Sequence, residues 1–126
     1  MRKYRSQAEF EAEIKDGVFI SKESIDIADF NLDTQVRIEV AGDIKARDIN
    51  ARDITAGDIK AWDIKARDIN AGDIKARDIN AWDINAKTVS YYAVAFAYNN
   101  IKVKSIKGQR INSRHFVLDG KLEEEA

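Results

Sequence analysis

Residues 41–85 read AGDIK ARDIN ARDIT AGDIK AWDIK ARDIN AGDIK ARDIN AWDIN, and this stretch decides the fold. Each of the nine units has alanine, then glycine, arginine or tryptophan, then aspartate and isoleucine, then lysine, asparagine or threonine. Alanine and isoleucine are the two positions that are apolar in every unit. They must therefore supply the core.

A five-residue period fits neither an α-helix nor a flat strand. On a helix, five residues advance about 140° beyond one turn, so the isoleucines would spiral around the cylinder and half would face water. In a flat strand, an odd period puts successive isoleucines on opposite faces. A coil that bends at each unit keeps isoleucine and alanine inside, with aspartate bonding to the backbone at the bends. The repeat therefore predicts a β-solenoid.

The strict period resembles that of the pentapeptide-repeat family over residues 41–86. The resemblance implies an all-β, right-handed, four-sided β-helix of bacterial or phage origin. At the matching spacing of 20 residues, Trp62 would lie over Trp82. The alternative is a three-sided coil, because a spacing of 15 residues aligns all three glycines of the repeat, Gly42, Gly57 and Gly72. We expect four sides from the resemblance, with three sides left open.

The flanking segments are expected to complete one domain over residues 1–126. Alternating apolar residues predict entry strands in 18–40 and closing strands in 87–122. A capping helix is predicted over 6–16, because Ser6 and Glu9 form a capping-box pattern and Gly17 can end a helix. We expect this helix to cover the first coil and protect its open strand edges.

The variable second position of the units is the predicted partner-binding surface. It must point outward if isoleucine points inward, and aromatic residues and arginine are enriched where proteins bind one another. Protein contact is the favoured use, and stacking on nucleic-acid bases is the less favoured one. The predicted partner-binding residues are Arg47, Arg52, Trp62, Arg67, Arg77 and Trp82.

The segment YYAVAFAY at residues 91–98 is the most apolar in the chain. Two-residue alternation divides it into two faces, of which one can join the core and the other needs a cover. We expect that cover to be a second copy of the chain, which would make the protein a homodimer. The predicted dimer interface consists of Tyr92, Val94, Phe96 and Tyr98.

Composition and motifs favour a non-enzymatic protein with no catalytic, cofactor-binding or metal-binding residues. Cysteine is absent, and no phosphate loop or metal-binding motif occurs. The formal net charge is −1, which argues against a strongly basic nucleic-acid binder. The start of the chain lacks a signal-peptide pattern and no stretch is apolar enough to span a membrane, so a cytoplasmic location is expected.

The leading functional hypothesis is therefore a protein-binding module, such as a phage or bacterial inhibitor or adaptor that acts through the solenoid face. One alternative is a self-assembling structural protein, because VAGDIKA at residues 40–46 resembles bactofilin-like β-helices. Another is a DNA mimic, since some pentapeptide-repeat proteins imitate the charge of DNA. Ice binding is disfavoured, because Thr55 is the one threonine of the repeat.

Overall fold

The computed structural model describes residues 2–124 and shows an all-β parallel solenoid of about six turns. One short helix and thirteen strands build it. The elements are β1 (Arg2–Lys3), α1 (Gln7–Glu11), β2 (Val18–Ser21), β3 (Ile25–Ile27), β4 (Leu32–Asp33), β5 (Arg37–Val40), β6 (Ile44–Ala46), β7 (Asp48–Asn50), β8 (Asp53–Thr55), β9 (Ile59–Lys60), β10 (Asp63–Val103), β11 (Ser105–Gly108), β12 (Arg114–Val117) and β13 (Leu122–Glu124).

The pairing register gives three repeat units in each turn. Ile64 pairs with Ile49, and Ile69 pairs with Ile54, each 15 residues apart. The N–H of Trp62 donates to the carbonyl of Arg47 at 2.7 Å. The expected coil of four units, which would place Trp62 over Trp82, is therefore wrong within the repeat, and the three-unit alternative describes the register.

Three ladders of parallel strands result from this register. The first ladder contains Ile44, Ile59 and Ile74, and the other two follow from the units in between. Outside the repeat the turns are longer, because Ile25 pairs with Ile44 and Val94 pairs with Arg114. The second ladder contains Ile49, Ile64 and Ile79, and the third contains Ile54, Ile69 and Ile84.

The isoleucines of the repeat form the centre of the core, as predicted. All nine are at most 2% exposed. Alanine follows this rule less strictly: Ala46, Ala61 and Ala81 are buried, whereas Ala41 is exposed and Ala56 is only partly buried. The last two precede a glycine, so the chain bends differently where a unit begins with Ala-Gly.

The bend between the third and first ladders will be called the glycine edge, after Gly42, Gly57 and Gly72. Here aspartate staples successive turns: Asp43 Oδ1 accepts from the N–H of Asp58 at 2.9 Å, and Asp58 Oδ1 accepts from the N–H of the next turn's aspartate at 2.8 Å. A Cβ atom on Gly57 would lie 2.8 Å from Asp43 Oδ1. Glycine is needed at this edge because any side chain would enter the space that the staple occupies.

The helix α1 is shorter than predicted. It spans Gln7–Glu11, and Ser6 caps its first turn by accepting from the N–H of Glu9 at 3.2 Å. The predicted end at residue 16 is wrong because Asp16 and Gly17 both have positive φ, and the N–H and carbonyl groups of Lys15 and Val18 exchange two hydrogen bonds. That geometry is a tight Asp-Gly hairpin turn, which leaves no residues for a longer helix.

The helix packs on the first turn of the solenoid through one aromatic cluster. Phe10 is fully buried, and its ring stacks on that of Phe19 with centroids 4.0 Å apart. Tyr4 packs edge-on against both rings. The Gln7 side-chain amide also bonds to the N–H and carbonyl of Asp33, so it occupies strand-pairing groups of β4 that face away from β7.

Candidate functional site

The predicted partner-binding residues lie on two neighbouring edges of the solenoid. The bend between the first and second ladders carries Arg47, Trp62 and Arg77 in successive turns and will be called the arginine–tryptophan edge. The bend between the second and third ladders carries the other three predicted residues, Arg52, Arg67 and Trp82. The structure thus separates six residues that one sequence position had grouped together.

Trp62 is held between two guanidinium groups. The Cζ atoms of Arg47 and Arg77 lie 5.6 and 5.7 Å from the centre of its ring. Arg77 is fixed in turn by Asp63, to whose Oδ2 it donates at 3.0 Å, and this bond raises the pKa of Arg77. Because each contact joins one turn to the next, the three side chains form a stack along the solenoid axis. Trp62 still exposes 56% of its surface.

The second edge repeats this arrangement in a shorter form. The guanidinium of Arg67 lies 5.2 Å from the ring centre of Trp82, and Tyr98 lies 5.9 Å from the same ring. Arg52 instead lies beside Asp53, with Nε 3.9 Å from Oδ2. Each tryptophan is therefore exposed but kept in one orientation by its neighbours.

A groove of about 650 Å³ runs beside the arginine–tryptophan edge. Its floor contains Ala46, Ala61 and Ala76, and it ends near Ala28 and Tyr92. One wall is the arginine–tryptophan edge. The other wall is a row of lysines in successive turns of the first ladder, which will be called the lysine row: Lys45, Lys60 and Lys75.

The lining of this groove is strongly basic. It contains five basic side chains and no carboxylate. Among the described residues, no lysine of the row has a carboxylate within 4.0 Å of its Nζ atom. The sequence analysis did not identify the row as a site, although its signal was present in the 15-residue spacing of the lysines.

Aspartates outside the glycine edge have different surroundings. The Oδ1 atoms of Asp48 and Asp63 are buried without a hydrogen-bond partner among the described residues. In the third ladder, partial burial and the neighbouring carboxylates of Asp53 and Asp83 raise the pKa of Asp68. The staple that the repeat formula suggests for every aspartate is therefore found in full only at the glycine edge.

The predicted dimer residues point outward from the last turns. Tyr92, Val94 and Tyr98 are 51%, 38% and 43% exposed, while Phe96 is partly buried against Phe116 with ring centroids 4.9 Å apart. Residues of the opposite face, Tyr91, Ala95 and Ala97, are buried in the core. This division follows the predicted two-residue alternation.

His115 lies next to the core tyrosine of the same region. Its Nδ1 atom is 2.6 Å from the hydroxyl of Tyr91, whose pKa is raised by burial. The hydroxyl of Ser113 donates instead to the carbonyl of Tyr92 at 2.6 Å. The serine and the histidine are therefore engaged with different groups.

Comparison of the chain with family models, with curated proteins and with solved structures finds no match. Within residues 2–124, no group of three or more histidine, aspartate or glutamate side chains is placed to hold a metal ion. The helix of the described part is too short to cross a membrane. Fold and surface together define the class: a parallel β-solenoid with a basic groove beside an exposed arginine–tryptophan stack.

Proposed function

We propose that this chain is a non-enzymatic binding module that holds a protein partner on its arginine–tryptophan edges. The observation that carries the proposal is the pair of tryptophans, each more than half exposed and each packed against arginine. Tryptophan and arginine are the residues most often responsible for binding energy at protein interfaces. Nothing in the core needs them at these positions, because neighbouring units place arginine or glycine there.

Preorganisation of the edge supports this use. A free tryptophan or arginine loses side-chain freedom when it binds, at a cost of about 0.5–1.5 kcal/mol for each side chain. In the stack of Arg47, Trp62 and Arg77, contacts within the protein already restrict that freedom. A partner would therefore meet a surface that is ordered before binding.

Capture of partners on immobilised protein tests the proposal. Tagged protein would be incubated with bacterial lysate treated with nuclease, and bound proteins would be identified by mass spectrometry. We expect one dominant partner whose recovery falls at least tenfold when Trp62 and Trp82 are both replaced by alanine. The matched control replaces Ile20 and Ile111, which are exposed apolar residues away from these edges. Equal recovery with both double variants would contradict the proposal.

Dimerisation is a second proposal, which the outward aromatic residues of the last turns favour. Val94, Phe96 and Phe116 form an apolar patch next to Tyr98. Such a patch is stabilised when a second copy covers it. Light scattering after size exclusion should give twice the chain mass for the native protein and the chain mass for Val94→Lys. A native mass equal to one chain would contradict dimerisation.

The finer identity of the fold also belongs to this proposal. We infer a right-handed β-helix related to the pentapeptide-repeat proteins, capped by α1 and acting in the cytoplasm of a bacterium or a phage-infected cell as an inhibitor or adaptor. Support comes from the five-residue period, the parallel ladders and the contacts of Phe10 and Gln7 with the first turns. Concentration-dependent sedimentation would instead favour filament assembly, and nuclease-sensitive capture would favour a nucleic-acid-related role.

A further inference from the structure

The lysine row has an electrostatic cost that the fold itself does not require. Lys60 pairs in register with Lys45 on one side and with Lys75 on the other. Adjacent strands lie about 4.8 Å apart, and like charges directly opposite one another destabilise a sheet. The corresponding outward residues of the third ladder are Thr55, Asn70 and Asn85, which shows that an uncharged row fits the same coil.

Charges elsewhere on the surface are compensated, whereas this row is not. Arg77 bonds to Asp63, and Arg37 lies within 3.7 Å of Asp53. The aspartates nearest in sequence to the lysines, Asp43 and Asp58, use Oδ1 to accept backbone N–H groups of the next turn. The ammonium groups of the row are thus exposed, close together and without a carboxylate within 4.0 Å among the described residues.

We propose that the groove between the lysine row and the arginine–tryptophan edge binds an acidic peptide segment of the partner protein. This inference rests on the proposed function and names the chemistry of its partner. The groove has basic side chains on both walls and an alanine floor that leaves room for a backbone. The row spans about 10 Å, which an extended segment with carboxylates at every second residue covers within a few residues.

The geometry favours a peptide over a nucleic acid as the occupant. Single-stranded nucleic acids bind where aromatic faces are free to stack with bases. Guanidinium groups approach the ring of Trp62 from Arg47 in one neighbouring turn and from Arg77 in the other, at similar distances. The exposed part of the ring can contact a peptide side chain, but its faces are already used.

Fluorescence anisotropy with labelled octaglutamate tests this proposal on the full chain. We expect saturable binding that weakens as salt is raised, because exposed charges are screened. The triple variant Lys45→Gln, Lys60→Gln and Lys75→Gln should bind at least about tenfold more weakly. Its melting temperature should equal or exceed that of the native protein, because the variant removes repulsion within the row.

The matched control is the triple variant Lys65→Gln, Lys102→Gln and Lys104→Gln, which removes the same charge outside the groove. Unchanged octaglutamate binding by this control supports the proposal, and an equal loss in both triple variants overturns it. Binding of labelled oligothymidylate that is as tight as octaglutamate binding also overturns it. If lysate capture succeeds through Trp62 and Trp82 while octaglutamate does not bind, only this inference fails. If octaglutamate binds and no partner is captured, the proposed function fails.

Discussion

The glycine edge and the arginine–tryptophan edge are built from the same five-residue formula but have opposite properties. At the glycine edge no side chain projects, and aspartate oxygens bond to the next turn. At the arginine–tryptophan edge large side chains project, and Asp48 Oδ1 and Asp63 Oδ1 remain buried without partners. An unpartnered buried oxygen costs stability, typically about 1–3 kcal/mol. One edge therefore stabilises the coil, and the other presents a surface at some cost to the coil.

Replacing Gly57 with arginine should abolish this difference and have the largest effect. The new Cβ atom would lie within 3.0 Å of Asp43 Oδ1 and the Gly42 carbonyl, so the staple to Asp58 must break. Overpacking and a lost hydrogen bond together should lower the free energy of unfolding by about 3 kcal/mol. Urea denaturation would measure this. The control Arg47→Trp also creates a natural unit but should change stability by less than about 0.5 kcal/mol. Equal effects of the two substitutions would refute the distinction between the edges.

Removal of the staple without overpacking should have an intermediate effect. Asp58→Ala eliminates the oxygen that accepts from the N–H of Asp73, and should cost about 1.5 kcal/mol in urea denaturation. Asp58→Asn keeps an oxygen at that position and should cost less than half as much. If alanine and asparagine prove equally tolerated, the hydrogen bond contributes nothing to stability.

Asp68 provides the smallest effect and a test by pH. Its pKa is raised in the folded state by partial burial and by Asp53 and Asp83, so the folded protein binds its proton more tightly than the unfolded chain does. This contribution to stability is present at low pH and is lost as pH rises through the raised pKa. Asp68→Asn should therefore be more stable than the native protein at pH 7, with the difference shrinking as pH falls below about 4. A pH-independent difference in denaturation midpoint would contradict this interpretation.

The solenoid and its isoleucine core were predictable because both follow from the period of the repeat. The number of units per turn was not decided by that period, since any whole number of units keeps isoleucine inside. The deciding signal was the glycine spacing: glycine at Gly42, Gly57 and Gly72 meets a steric need that recurs once per turn. The family resemblance outweighed this signal and gave the wrong coil.

Other features were hidden because they depend on contacts between turns. The shortened helix follows from the Asp-Gly turn at Asp16 and Gly17, whose residues were read as a helix end. The stack around Trp62 and the lysine row require a known register, since residues 15 apart become neighbours only in a three-unit coil. The outward position of Tyr92 and Val94 was predictable, because alternation along a strand is a local property.

The three-unit register also determines how such a molecule can change in length. Insertion or loss of a single unit would move every later arginine, tryptophan and glycine to a different edge and interrupt both the staple and the stack. Insertion of three units preserves all contacts and lengthens the groove by about 4.8 Å. The size of the binding surface can thus grow only in whole turns, like a ruler with one lysine at each mark.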